Sequence, residues 1–565
     1  MLTIPPTELR RLSGIVSRLA ELYRTEWLPV HQQLANYILP VRYYWLQSGQ
    51  DTTQASVQRA PLSLLNSTLI DATGTKAARD LAAGLLNGIT SPARPWFNLR
   101  AGGFSREEDV PVELQRNIEE RRRRMMLAMA ESNFYNSMGQ LFLDMAVFGT
   151  PGMTIYEDDA DIFRCYNHPV GEFFIAQDDR GVINTMARSL VMTVEQLCLA
   201  FGEENLTRSS LDKWNRGGAD LYHGVRVYHL IEPNRQDARF LPGGFAFREY
   251  YWEVANNGAN QLLSLKGFSE QPFGFPRWEI QGRMEYGLSP AMEAIGDIIQ
   301  LQHETLRKGE ALDKMTDPPL VLDATLRSQR GSANPGSKFY VPGHSQASGR
   351  ALYTVAMPIA ELSADIAAVQ QRVRDAFYND LFRMISQLET VRSATEIDAR
   401  REEKLILMGA VLERIENEAL DPFISRIYNI MQRKGLFPPP PEGFDQVEIE
   451  VQYVSILSDA QRAVGTGVIE RFMQVVGNTA ALVPEVKDLP DWVAMLREYG
   501  SRLNVPAKGI RSEGEMAQIA KQNAELQQAQ QAAQVGDQLT NAAKNLGSVS
   551  VGGGQNAFQA LMGGM

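Results

Sequence analysis

Apolar residues in the first third of the chain recur at steps of three and four, the pattern of a helix with one buried face. Two such stretches are predicted at 71–86 and 112–148. Between them, Trp96, Phe97 and Leu99 predict a short buried strand. A further helix is predicted at the start of the chain by its apolar stripe, Leu9, Leu12, Val16 and Leu19.

From Gly149 the pattern changes to short apolar runs that are typical of strands. Turn residues such as Asp178 to Gly181 separate these runs. Asn256-Asn257-Gly258 divides the last two, and Asn-Gly favours a hairpin because it accepts positive φ. We therefore predict an antiparallel β unit with strands at 153–156, 162–166, 173–176, 182–191, 225–231, 245–254 and 261–265.

Long helices are predicted after the β unit. The first begins at Ser289-Pro290, because Ser can cap free amides and Pro loses nothing at the first helical position, and it ends at Asp317. The second carries an apolar stripe from Ile359 to Leu381. The third runs from Ala394 to Gly435, with a kink predicted at Asp421-Pro422 because Pro lacks a backbone donor. Strands are predicted between the first two helices at 320–322, 338–341 and 351–355.

The last part of the chain has a weaker pattern. Helical pieces are predicted at 459–476 and 491–499, followed by a Gln- and Ala-rich stretch at 513–535. Gly, Asn, Ser and Gln dominate from Gly536 onward, and this composition predicts a flexible tail.

Composition narrows the class of protein. The 565 residues are 44% hydrophobic, so a sizeable core can form and wholesale disorder is excluded. The net charge of −11 argues against a protein that grips DNA, because such affinity comes from Lys and Arg displacing counterions. Two cysteines, Cys165 and Cys198, exclude a disulfide framework and favour a reducing compartment. No secretion signal or bilayer-length apolar run is found, so we expect a soluble protein made inside the cell.

No catalytic or cofactor signature emerges from the motifs. Gly-Lys does not occur, so there is no P-loop, and the six histidines are scattered, so we expect neither a metal nor a cofactor. The nearest approach to a catalytic motif is 343–347, in which Ser345 would be the nucleophile. A nucleophile elbow needs a helix directly after its serine, whereas the strand-like run 351–355 follows here. A plain turn is therefore the favoured interpretation.

Two charged clusters each allow two interpretations. Asp158, Asp159 and Asp161 could bind a divalent ion, but they lack the glycine and the terminal Glu of a calcium loop, so a hairpin turn is favoured. The run Arg121 to Arg124 could bind phosphate. A solvated helix face balanced by neighbouring carboxylates is the favoured alternative, because Glu119 and Glu120 directly precede it.

The order of these elements resembles the portal proteins of tailed bacteriophages, in particular the head-to-tail connector family of short-tailed phages. The third long helix opens with Arg392-Ser393-Ala394-Thr395-Glu396-Ile397, where the family often has Thr in place of Ser393. Ser keeps the hydroxyl that can cap a helix, so the departure is mild. Further matching pieces are Gly74 to Leu85, Ser91-Pro92, Trp96-Phe97, Arg401 to Lys404, Glu413-Arg414, Glu418, Asp421-Pro422 and Gly435 to Pro439.

The resemblance implies an α+β, mainly α, portal fold in a ring-shaped homo-oligomer, typically a dodecamer, at one vertex of the capsid. The parts that it implies are a wing (1–287), a first stem helix (288–317), a clip (318–357), a second stem helix (358–382), a tunnel loop (383–393), a long kinked helix returning to the wing (394–444), a helical crown (445–534) and a flexible tail (535–565).

The resemblance also implies partners and sites. Double-stranded DNA passes through the ring without sequence-specific binding, and the terminase large subunit, the tail adaptor, the major capsid protein and the scaffolding protein contact it. The implied location is the portal vertex of the virion, with synthesis in the host cytoplasm, no membrane contact and no enzymatic activity. The implied residues are Arg383, Gln387, Glu389, Thr390, Arg392 and Ser393 in the tunnel loop; Pro318, Pro319, Lys338 and Tyr340 in the clip; and Ala394, Thr395 and Glu396 in the helix-start motif.

Two other interpretations stay open from the sequence. A minor scaffolding or internal virion protein could be built on the same long helices, and a serine hydrolase would use Ser345. A ring with a central hole separates the portal from both of them, because neither alternative requires one.

Overall fold

The computed structural model confirms an α+β fold with more helix than strand. It describes residues 4–48, 69–102, 111–234, 244–254, 260–318, 320–323, 338–341, 350–351, 358–380, 408–441, 449–453, 472–476, 492, 495–496, 541 and 544. Contacts divide the chain into two compact units, of which the first contains almost all of these residues and the second is formed by 106–109 and 462–565.

The N-terminal helices form where the apolar stripes predict them. Helix α1 (Pro6–Leu22) continues through a π-helical turn (Tyr23–Trp27) into α2 (Leu28–Ile38), and α3 (Pro40–Ser48) and α4 (Thr73–Ile89) follow. The predicted stripe of α1 is confirmed, because Leu12 and Val16 are completely buried in the main core.

The predicted helical stretch 112–148 is two helices, α5 (Val112–Glu131) and α6 (Phe134–Phe148). Glycine is needed directly after α6, because Gly149 has φ +78° and a Cβ there would lie 2.1 Å from the carbonyl oxygen of Gly287. The predicted strand at Trp96 is β1 (Phe97–Ala101).

The predicted antiparallel β unit is confirmed as two sheets. One sheet has three strands in the order β3-β2-β9, and the other has five in the order β4-β5-β6-β7-β8. The structure adds two helices that the pattern did not predict, α7 (Val194–Phe201) and α8 (Arg208–Arg216), which pack on a small separate core. The strands are β2 (Gly152–Asp158), β3 (Ile162–His168), β4 (Phe173–Gln177), β5 (Ile183–Thr193), β6 (Gly224–Pro233), β7 (Phe247–Glu253), β8 (Gln261–Phe268) and β9 (Phe273–Gly274).

The long helices after the β unit are present with two differences from the prediction. Helix α9 (Pro290–Thr316) begins and ends as predicted, and the hydroxyl of Ser289 accepts a hydrogen bond from the Met292 amide. Helix α10 (Ile359–Ala376) is followed by a break at 377–378, where Tyr378 adopts a left-handed conformation with φ +55°, and Asn379 and Asp380 are helical again. The third helix is described from 408 and passes through a π-helical turn (Glu416–Leu420) into α11 (Asp421–Arg433) where a kink was predicted at Pro422.

Short strands complete the first unit. Strands β10 (Leu320–Asp323), β11 (Lys338–Val341) and β12 (Arg350–Ala351) form a sheet in which β10 is central. Strand β13 (Ile449–Tyr453) pairs antiparallel with β1, over three hundred residues earlier in the chain. The predicted crown, which would begin at 445, therefore has its first residues in the first unit, which extends to Gln461.

Arg277 joins the β unit to the third long helix. Its side chain is buried, and all three of its nitrogens donate hydrogen bonds. Nε and Nη2 bind the carboxylate of Glu418 in the π-helical turn, with Nη2 at 2.6 Å. The remaining donors bind the carbonyl of Gly181 at 2.8 Å, the side chain of Gln177 at 3.2 Å and the carbonyl of Met284 at 3.3 Å. One guanidinium thus fixes a turn, a loop and a helix relative to one another.

Two further arginines hold α11 against the β unit. Arg426 is buried, binds Glu270 and lies with its guanidinium 4.9 Å from the centre of the Phe268 ring. Arg433 donates to Glu157 and Glu270, at 2.5 and 2.9 Å. The third helix is therefore fastened to the β unit over several turns.

A buried carboxyl in α6 gives the fold a pH-dependent stability. Asp144 accepts hydrogen bonds from Arg42 at 3.1 and 3.2 Å, but its burial prevails and raises its pKa from 3.8 to about 6. The folded state then favours the protonated form, so the stabilisation is complete below the unfolded pKa and is lost as pH rises through the folded pKa. We expect wild type to gain up to about 3 kcal/mol relative to Asp144→Asn as pH falls from about 7 to about 4.

Urea unfolding at a series of pH values, followed by tryptophan fluorescence, measures this difference. Asp212 is exposed, so the free energy of unfolding of the control Asp212→Asn should change with pH as that of wild type does over the same range. A constant difference between wild type and Asp144→Asn would contradict the assignment.

Candidate functional site

The candidate site is built on α9 and α10, which pack against each other as an antiparallel pair. Leu301 of α9 is buried with Ile366 and Val369 of α10 in a small apolar seam. Beside this seam, Arg372 donates to Asp297 at 2.9 Å across the two helices. Helix α9 has 27 residues and is therefore about 40 Å long at 1.5 Å per residue.

Gln302 fastens this helix pair to the start of α4. Its side-chain oxygen accepts hydrogen bonds from the backbone amides of Ile70 at 2.8 Å and Asp71 at 3.0 Å, and its nitrogen donates to the carbonyl of Asp71 at 2.7 Å. Gln370 of α10 donates to the Asp71 carboxylate at 2.8 Å. Both helices of the pair therefore bind the same two-residue segment.

Close packing supports this attachment. A Cβ atom at Gly74, in the first turn of α4, would lie 3.0 Å from Cδ1 of Ile298 on α9. A larger residue at this position would push the two helices apart. Gly74 is also the first residue of one of the segments on which the sequence resemblance rests.

The outward face of α10 carries small and acidic residues. Four exposed alanines share it with Gln371 and with the carboxylates of Glu361 and Asp375. The exposed alanines are Ala360, Ala364, Ala367 and Ala368. Such a face offers a nearby polyanion few cations to bind.

The structure places the predicted clip residues only in part. Pro318 directly follows α9, and Lys338 and Tyr340 lie in β11, in register with Leu320 and Leu322 of β10. Pro319 and Ser345 lie outside the described residues. The structure therefore defines the backbone pairing of a three-stranded module at this end of the helix pair.

The predicted tunnel loop begins at residue 383, just beyond Asp380, the last described residue after α10. Phe377 and Asn379 are buried at that end. Outside the described residues lie the whole predicted tunnel-loop set, Arg383, Gln387, Glu389, Thr390, Arg392 and Ser393, and the helix-start motif, Ala394, Thr395 and Glu396.

The arginine run in α5 has a role that neither sequence interpretation predicted. Arg121 is buried and donates to the Tyr428 hydroxyl and to the carbonyl of Pro438. Arg124 donates to the carbonyl of Leu436 at 2.6 Å, and Arg123 binds Glu120. The run therefore attaches α5 to the segment that ends the third long helix. The predicted balance by neighbouring carboxylates is also confirmed, because Arg122 pairs with Glu119 and both Arg123 and Arg124 pair with Glu120.

The acidic cluster forms the predicted hairpin turn between β2 and β3. Oδ1 of Asp158 accepts hydrogen bonds from the backbone amides of Ala160 and Asp161, which lower its pKa. Across the described parts of the chain, no group of three or more His, Cys, Asp or Glu side chains is arranged to hold a metal ion.

Burial favours the uncharged forms of three described histidines and of Cys165. Burial lowers the pKa of His31 to about 3, and its Nδ1 lies 3.0 Å from the Tyr23 hydroxyl. Burial likewise lowers the pKa of His168 and His229. Burial raises the pKa of Cys165 to about 12, which disfavours the nucleophilic thiolate.

Sequence reasoning missed the contacts of Gln302 with Ile70 and Asp71, which we call the Gln302 clamp, and a buried polar network in the β unit. In that network His229 Nε2 lies 2.9 Å from Glu249, whose carboxylate also accepts from the Tyr156 hydroxyl at 2.7 Å. A signal for each was present in the sequence, because Glu249 interrupts a predicted strand and Gln302 lies three residues after Ile299 and four before Leu306, at a core position of the helix. A polar residue at a core position indicates a specific hydrogen bond.

Removal of the Gln302 side chain should weaken the attachment of the helix pair. Gln302→Ala leaves the backbone amides of Ile70 and Asp71 without their acceptor, so we expect a loss of about 2 kcal/mol in the free energy of unfolding. Gln300→Ala is the matched control, because Gln300 is exposed and binds only Glu304 of its own helix. Urea unfolding should separate the two variants, and equal midpoints would contradict the clamp.

Among the residues that the structure describes, no helix is both long and apolar enough to cross a bilayer.

Comparison with known proteins identifies the family of the chain. A family model described as bacteriophage head to tail connecting protein matches residues 10–511. A probable portal protein of Bordetella phage BPP-1 is 34% identical over 544 residues, which covers 95% of each chain. A portal protein of Salmonella phage epsilon15 is 33% identical over 486 residues, which covers 85% of this chain and 86% of the relative. The chain therefore belongs to the bacteriophage head-to-tail connecting protein family.

Proposed function

We propose that the protein assembles into a homo-oligomeric portal ring at one vertex of a phage capsid. In this role the ring encloses the channel through which double-stranded DNA is packaged and ejected. The observation that carries the proposal is similarity over nearly the whole chain to relatives that are named portal proteins. The proposed role is structural, with the motor activity supplied by a separate terminase and no cofactor.

The helix pair α9 and α10 suits the wall of such a channel. DNA must slide past the wall, and each Lys or Arg that binds a phosphate adds affinity and so opposes sliding. The outward face of α10 presents alanines, a glutamine and carboxylates, and Arg372 beside this face is paired with Asp297. These features support α9 and α10 as the two stem helices.

The neighbouring segments take the remaining roles in this proposal. The strand module β10–β12 is the clip, which contacts the terminase large subunit during packaging and the tail adaptor afterwards. Residues 383–393 form the tunnel loop nearest the DNA. The wing, which is the part up to about 287 together with the third long helix, faces the major capsid and scaffolding proteins, and 445–534 form the crown inside the virion.

A ring with a central hole is the expected appearance of the purified protein. Negative-stain electron microscopy tests this, and mass photometry gives the subunit number, which we expect to be twelve by analogy with the family. Monomers or open filaments at all concentrations would contradict the proposal, because a head-to-tail assembly encloses a channel only when it closes.

The clip assignment has a separate test at Lys338. Lys338→Glu reverses a charge in β11 and should weaken binding of the terminase large subunit or the tail adaptor by about tenfold, while rings still form. Pull-down of each partner by wild-type and variant rings measures the effect. Lys213→Glu, in α8 of the β unit, is the control and should bind normally. Loss of the ring itself in Lys338→Glu would refute the assignment.

A further inference from the structure

The two flanks of the α9–α10 pair carry opposite charge. On one flank, Arg372 is surrounded by carboxylates. Asp297 accepts its hydrogen bond, and this bond is the main reason that the pKa of Arg372 is raised, with smaller contributions from Asp365 and Glu304. Three carboxylates around one guanidinium leave this acidic flank with a net charge of −2.

The other flank adjoins α4 and is basic. A groove of about 260 Å³ lies between the start of α4 and the end of α10, and Lys76 and Arg374 line it. Arg79 is exposed one turn further along α4. Within the described part of the chain, none of these three cations forms an ion pair. Against Asp71 and Asp80, which also line the groove, they leave this basic flank with a net charge of +1.

The two flanks lie at the same height on opposite sides of the helix pair. Arg372 and Arg374 are two residues apart in α10, so they differ by about 3 Å along the axis and point about 200° apart around it. A closed ring needs two different faces per subunit that meet after a rotation with little shift along the axis. The acidic and basic flanks meet this geometric requirement.

We propose that the acidic flank of one subunit (Asp297, Glu304 and Asp365) binds the basic flank of the next copy of the chain (Lys76, Arg79 and Arg374). This inference rests on the proposed function, because it gives the ring its two faces. The opposite charges fix the register and the direction of assembly, and like flanks repel each other. The Asp297–Arg372 pair orients the acidic side chains without neutralising the flank.

Charge reversal in two matched variants tests the contact. Glu304→Lys/Asp365→Lys makes both flanks basic, and Lys76→Glu/Arg374→Glu makes both acidic. Each variant alone should show about tenfold less ring than wild type by mass photometry, because like charges then face each other. Mixed in equal amounts, the two variants should form rings again, with the variants alternating. A single chain with all four substitutions should also form rings.

The control makes the same change in charge as Glu304→Lys/Asp365→Lys, but at positions away from both flanks. Glu131→Lys/Asp212→Lys alters two exposed carboxylates on α5 and α8 and should form rings like wild type. Circular dichroism establishes that each variant keeps its helices. If a reversed variant loses helical signal, the neutral pairs Glu304→Gln/Asp365→Asn and Lys76→Gln/Arg374→Gln replace it, and each should reduce ring formation, more at low salt than at high salt.

The outcomes separate the two proposals. Wild-type protein that never forms rings overturns the proposed function and this inference with it. Wild-type rings that persist in both folded variants overturn the inference alone. Loss of rings in the separate variants without recovery in the mixture or in the combined chain also overturns it, because the loss then does not depend on complementary charge.

Discussion

The ion pair between Arg277 and Glu418 is the contact on which the arrangement of the first unit depends. It is a buried guanidinium bound to a carboxylate of the third helix and to acceptors in two loops of the β unit. Breaking one partner of such a pair costs about 3–5 kcal/mol, because the remaining charge is left buried and unmatched. With this pair in place, Phe423 of α11 packs so closely over Gly274 that a Cβ atom there would lie 2.7 Å from its ring.

The internal use of arginine also reduces the number of cations that are free at the surface. The chain has 56 Lys and Arg residues against 67 Asp and Glu residues, but several of its cations are consumed in buried contacts. Arg121, Arg277 and Arg426 are all buried and bind groups from distant parts of the sequence. Fewer cations are therefore free at the surface than the composition suggests, although Arg277 and Arg426 each also neutralise a carboxylate. For a proposed DNA conduit this is favourable, since an acidic wall repels phosphate and avoids tight gripping.

The helix pair shows how polar contacts can set geometry where apolar contacts cannot. Its apolar seam is small, being formed by Leu301, Ile366 and Val369 with Leu362 beside them, and apolar packing is not directional. The Gln302 clamp is directional, because it satisfies two backbone amides and one carbonyl of a single segment. The charged flanks on the two sides of the pair remain at least partly exposed, which leaves them available for contacts with other copies of the chain.

The sequence by itself determined the fold class, most helices and strands, and the family resemblance, because apolar spacing and caps such as Ser289 are local signals. It missed α7 and α8 and the break after α10, since the apolar stripe continues through Phe377 although Tyr378 turns the backbone left-handed. It left the arginine run of α5 open between two interpretations, and both were incomplete. Only the tertiary structure decided which polar residues meet, as when Gln302 reaches Asp71, because those pairs are separated by hundreds of residues and leave no periodic trace in the chain.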